Sequence, residues 1–141
     1  MREAGEHSLV LVDTNVVLRH FLRDHSAHSP RAAEFSIRVA RGDFVAYIPP
    51  TVVFEVVFTL ERTYRMVRTS IRDIVLGLLS GENTEFEGWS WIADVFDIYV
   101  RRNLSFADSY HAILARVRQL DGIVSFDRGF DRIDGLTRIE P

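Results

Sequence analysis

The sequence predicts an α/β fold: a central parallel sheet with helices on both faces. Two observations carry this. Short apolar runs at residues 9–12, 44–48 and 122–126 alternate with longer amphipathic stretches, the pattern of strands joined by helical crossovers. Two of those runs also stop at a carboxylate, Asp13 and Asp127. Open parallel sheets place their ligands just beyond the carboxyl ends of the strands.

Residues 9–12 are four consecutive large aliphatics and read as a fully buried strand. Residues 15–23 read as a short helix, with Val17 and Phe21, and Leu18 and Leu22, at i, i+4 spacing. After a polar loop, Ser29 caps a helix with Pro30 at its first position, and Gly42 ends it. Residues 44–48 are a second strand, closed by Pro49 and Pro50.

Residues 51–65 are ambiguous locally. Val52, Val53, Val56 and Val57 favour a strand; the segment's length, a Thr51 cap and the polar end at Glu61, Arg62 and Arg65 favour a helix, the reading adopted. Residues 70–80 are plainly helical, with Ile71, Ile74, Val75, Leu78 and Leu79 on one stripe. Residues 84–87 suggest a short edge strand, and 90–102 an amphipathic helix. Ser105 caps a further helix running to about Gln119. The buried run 122–126, a helical turn at 128–133 and a last strand near 136–139 complete the chain.

A length of 141 residues suits one domain, 1–141, with a single core. Without cysteine there are no disulfides and no thiolate metal sites. The polar first seven residues lack a signal-peptide core, and no apolar run approaches the ~20 residues that span a bilayer, so a cytoplasmic protein is expected. A net charge of −3 argues against a basic nucleic-acid-binding coat, but carboxylates gathered around a metal are neutralised by it. All 17 basic side chains are arginine, for which a GC-rich coding bias is the plainest account; arginine is also suited to bidentate contact with phosphate.

Four carboxylates stand out. Asp13 and Asp127 each end an apolar run, and acids at strand ends in one parallel sheet lie on one edge. If their strands are neighbours they repel unless a cation intervenes. Glu55 is flanked by apolar residues on both sides, where an unpaired buried carboxylate is costly. With Thr51 as the cap, Glu55 would be the fourth helical residue and outside a capping box. Asp108, three residues after Ser105, is explained on its own by the helix dipole and gains weight only from the other three. Four oxygen donors suit Mg²⁺ or Mn²⁺ better than zinc. Such an ion can activate water and steady a phosphoryl oxygen, the logic of phosphodiester hydrolysis.

Taken together, these stretches resemble a known family. They are Val12-Asp13-Thr14-Asn15, Glu55 with the Val56–Arg62 stretch after it, Leu104-Ser105-Phe106-Ala107-Asp108, and Ser125-Phe126-Asp127-Arg128-Gly129-Phe130. They resemble the PIN-domain ribonucleases, and most closely the VapC-type toxins of toxin–antitoxin pairs. The resemblance implies an α/β/α sandwich with a central, mostly parallel sheet, and a cleft holding one or two Mg²⁺ or Mn²⁺ ions. It implies that Asp13, Glu55, Asp108 and Asp127 are the acidic positions, that Asn15 orients the first acid, and that Ser125 is a hydroxyl position. It also implies endonucleolytic cleavage of RNA, a homodimer, and a cognate antitoxin that enters the cleft. Relatives often carry a further acid where this chain has Gly129; Asp131 is a nearby substitute.

Other residues read more plainly. His111 reads as packed or exposed, and Trp89 and Trp91 as core or dimer contacts in preference to base-stacking groups. Arg62, Arg65 and Arg128 are the candidates for phosphate contact, and the apolar 51–65 and 70–80 helices hint at a dimer or antitoxin groove. Two other classes compete. A non-catalytic PIN-like binding module is disfavoured by the four acids. An aspartyl-phosphate phosphatase is disfavoured by Asn15, which stands where that chemistry wants a second Asp.

Overall fold

The computed structural model describes residues 8–141. The first seven residues, expected to be polar and without a signal-peptide core, lie outside the described residues. The elements are β1 (Ser8–Leu11), α1 (Thr14–Leu22), α2 (His28–Ala40), β2 (Phe44–Tyr47), α3 (Pro50–Arg62) and α4 (Arg68–Leu79). They continue with β3 (Thr84–Glu85), α5 (Ile92–Arg101), α6 (Phe106–Val117), β4 (Ile123–Val124), a 3₁₀ turn (Arg128–Arg132) and β5 (Arg138–Ile139). Every strand pairing is parallel, as the alternation of strands and helices requires. The α/β class and its layering of helices about a parallel sheet are as expected.

The sheet itself differs from expectation. Strands β1, β2 and β3 form one ladder in that order, while β4 pairs with β5 in a second. The main-chain groups of the β4 segment bond to β5: Ile123 N–H donates to the Thr137 carbonyl at 2.8 Å and Ser125 N–H to the Ile139 carbonyl at 3.0 Å. A Cβ added at Gly122 would stand 2.5 Å from the Thr137 oxygen, so this approach requires glycine. Among the described residues β1 pairs with β2 alone, and β1 is not the fully buried strand its composition suggests: Leu9 is 45% exposed and Leu11 62%. Val124 of β4 is likewise exposed.

Helix α3 settles the ambiguous stretch. Val52, Val53, Val56, Val57 and Leu60 are all buried on one helical face. Burying each such side chain gains about 1.5–3 kcal/mol, while valine's helix propensity costs at most about 0.7 kcal/mol, so packing decides. The start differs from expectation: Pro49 is the N-cap and Pro50 the first helical residue, a position where the missing N–H costs nothing. Helix α2 also starts earlier than expected, at His28 with Ala27 as N-cap. Its orphan amides are met by His25, whose Nδ1 accepts from Ala27 N–H at 3.3 Å and His28 N–H at 2.9 Å. Ser29 is buried and accepts from His25 N–H instead of capping.

The core lies where α3, α4, α5 and α6 meet. Leu60, Ile71, Ile92, Phe96, Tyr99 and Ile113 are almost wholly buried. Phe54, Trp91, Phe96, Tyr99, Phe106 and Tyr110 form an aromatic cluster with centroids 4.8–6.3 Å apart. Trp91 is thus a core residue, edge-on to Tyr110 at 5.0 Å. Arg68, at the start of α4, ties these helices together. It pairs with Glu61 at 3.1 Å, donates to the carbonyls of Tyr99 and Leu104, and stacks 4.3 Å from the Tyr99 ring centroid. Among the described residues, no helix is long and apolar enough to cross a membrane.

Candidate functional site

Asp13 stands at the junction of β1 and α1, where the chain leaves the sheet. It is the N-cap of α1, with extended backbone at φ −79°, ψ 158°. An aspartate there usually accepts from an amide of the first turn. Here the side chain makes no cap bond, so the carboxylate is free for another partner. Its exposure, and that of Asn15 two residues on, opens both onto a groove of about 720 Å³.

Asp108 is the third residue of α6. The Ser105 hydroxyl accepts from its N–H at 3.1 Å, the cap expected from the sequence. The Asp108 carboxylate is half-buried and enters no ion pair among the described residues. Negative charge is favoured there by the helix dipole, so the structural reading of Asp108 holds locally.

Asp127 N-caps the 3₁₀ turn. Its Oδ1 accepts from Gly129 N–H at 2.8 Å, while its own N–H donates to Ser125 Oγ at 3.0 Å. Ser125 thus braces the backbone that carries Asp127. Gly129 explains the missing acid. A Cβ there would lie 2.7 Å from Leu104 Cδ2 and 3.0 Å from Asp127 Oδ1, so a larger residue requires the Leu104 side chain to shift. Asp131 pairs with Arg138 at 2.9 Å.

Glu55 departs from expectation. It is exposed, the sixth residue of α3, on the side of the helix away from the buried valines. Its apolar neighbours face the core while it faces out, so there is no buried-charge penalty to explain. His111 is exposed.

The four acids are not gathered around one point. Among the described residues, no group of three or more His, Asp or Glu side chains is placed to hold a single metal ion. The condition that the strands of Asp13 and Asp127 be hydrogen-bonded neighbours is not met, since β1 and β4 belong to separate ladders. The donor chemistry suits a hard cation, being all carboxylate with Asp13 uncapped.

The groove beside Asp13 contains residues the sequence did not single out. Its lining includes Val10, Val12, Ala32, Phe35 and Phe44, with Arg19, His28, Arg31, Glu34 and Arg38 around them. The signal was available in part: Arg31 and Arg38 are seven apart on a helix, hence on one face. What could not be read was that this face borders Asp13. Arg62, Arg65 and Arg128, the expected phosphate contacts, do not line the groove. On α1, burial and then the nearby Arg23 lower the His20 pKa. Its Nδ1 has no partner among the described residues.

Comparison with known proteins gives two matches. Residues 10–136 match the family described as PIN domain. A protein named VapC ribonuclease, from Aquifex aeolicus (strain VF5), is 26% identical over 131 residues, covering 93% of this chain and 96% of that one.

Proposed function

We propose, from the premise that this chain belongs to the PIN domain family, that it is an endoribonuclease dependent on Mg²⁺ or Mn²⁺, and the toxin of a type II toxin–antitoxin pair. The observation that carries the reading is Asp13: a strand-end carboxylate at an N-cap that does not cap, opening onto a groove of about 720 Å³. The similarity to a protein named VapC ribonuclease over nearly its whole length supports the same reading.

In this proposal Asp13, Glu55, Asp108 and Asp127 are the metal ligands. Asn15 orients Asp13, and Ser125 fixes the backbone of Asp127. RNA is the substrate, an antitoxin and a second copy of the chain are the protein partners, and the site of action is cytoplasmic.

The test compares cleavage of a panel of RNAs in Mn²⁺, Mg²⁺ and EDTA by the wild type, Asp13→Asn and Glu55→Gln. Mn²⁺ binding is measured in parallel by calorimetry. Metal-dependent cleavage that falls at least about 100-fold in either variant, together with lost Mn²⁺ binding, is the expected result. Cleavage that persists in EDTA, or in both variants, sinks the metal-site assignment. The dispersed acids favour one alternative, a PIN-like module that binds without cleaving; inert wild type that still binds RNA or a protein partner would establish it.

A further inference from the structure

We propose that the groove beside Asp13 is a track for single-stranded RNA, gripped through its phosphates by Arg31 and Arg38 of α2. The proposal rests on the ribonuclease reading and extends it to residues outside the acidic set. At about 720 Å³ the groove is of the size that takes an extended ligand, far larger than an ion needs. Asp13 and Asn15 lie in its lining, so a strand held along it reaches the proposed reacting end.

The chemistry of the lining selects a polyanion with flat bases. Arg31 and Arg38 are separated by seven residues, about 10.5 Å of helix, on one face. Arg31 enters none of the ion pairs among the described residues, whereas Arg19 is engaged with Asp24 at 2.8 Å. The Arg38 contact with Asp43 is long at 3.6 Å, and its guanidinium lies 4.8 Å from the Phe44 ring centroid. That stacking orients the planar fork, the arrangement that suits bidentate phosphate contact. Phe35 and Phe44, 5.5 Å apart, give the floor an aromatic surface of the kind that accepts bases without regard to sequence.

Glu34 is the one opposing charge on the α2 wall. It lies between the two arginines in sequence and should weaken phosphate binding. A groove built for an acidic peptide would use the same arginines but would not favour bases over the floor.

The experiment is fluorescence anisotropy of a labelled mixed-sequence RNA of about ten nucleotides with the full chain in EDTA, where turnover is off. An acidic peptide of equal charge serves as the competing probe. Arg31→Glu and Arg38→Glu should each weaken RNA binding about 10-fold or more, and the salt dependence should lose about one unit of slope per arginine. Glu34→Gln should tighten it, while Arg62→Glu and Arg65→Glu leave it within about 2-fold. Circular dichroism and melting establish that each variant is folded.

RNA affinity and salt slope unchanged in folded Arg31→Glu and Arg38→Glu would overturn the proposal. Peptide binding that depends on both arginines while RNA binding does not would overturn it in favour of a protein occupant. Arginine-dependent RNA binding by a chain inert in every metal would leave the groove assignment standing and remove the ribonuclease reading. Cleavage with an unchanged KM in both arginine variants would do the reverse.

Discussion

Arg68 offers the most direct test of how the scaffold holds the Asp108 loop. Its guanidinium donates to the carbonyls of Tyr99 and Leu104, pairs with Glu61, and stacks on Tyr99. Leu104 immediately precedes Ser105, the cap of α6, so one side chain links α3, α4 and α5 to the segment that presents Asp108. In Arg68→Ala, two carbonyls lose a charged donor, each such bond contributing about 1.5–3 kcal/mol. The Arg68 and Glu61 side chains are 27% and 30% exposed, so water partly replaces these contacts and the ion pair adds at most about 1 kcal/mol. A net loss of about 3 kcal/mol follows. For a chain of this size that lowers Tm by roughly 10 °C.

Arg68→Lys keeps the charge but not the planar fork, and should recover less than half of the loss. The assay is thermal unfolding by circular dichroism. A double-mutant cycle with Glu61→Gln should show that the two changes cost less together than their sum. A fall in Tm of less than about 3 °C for Arg68→Ala, or a lysine variant as stable as the wild type, would refute the reasoning.

Two more predictions come from the same structure. Gly129→Asp, which supplies the acid that relatives often carry, should lower stability by about 1–3 kcal/mol through collision with Leu104 and Asp127; a melting temperature equal to that of the wild type would show that the position has room. Burial, and then hydrogen bonding to Glu61, raise the Tyr99 pKa well above its usual value. Since the folded pKa is raised, its contribution is complete below about pH 10 and is lost as pH rises beyond that, at about 1.4 kcal/mol per unit. Wild type should therefore lose stability more steeply than Tyr99→Phe between about pH 10 and 11.5, and parallel curves would show that folding does not raise the Tyr99 pKa.

Much of the site's local character was legible because it depends on neighbours in sequence. Ser105 caps α6 by accepting from Asp108 N–H, as the spacing predicted. Asp13 ends its strand as the apolar run indicated, and Asp127 follows its own strand by the same logic. The helical periodicity of 70–80 was sufficient to find α4. Boundaries were less secure where two signals competed: Thr51 and Ser29 both look like caps, but Pro49 and His25 meet those helix starts.

The sequence by itself determined the order of strands and helices and the parallel class, because period and capping are local properties. The sequence favoured a helix for α3 in spite of its valines, and tertiary structure supplied the reason, since burial of one face outweighs propensity. Tertiary structure alone decided that Glu55 points outward, that β4 pairs with β5 in a ladder separate from β1, and that the arginines of α2 border Asp13. Those outcomes depend on which surfaces meet across long separations in the chain, and no window of sequence contains both partners.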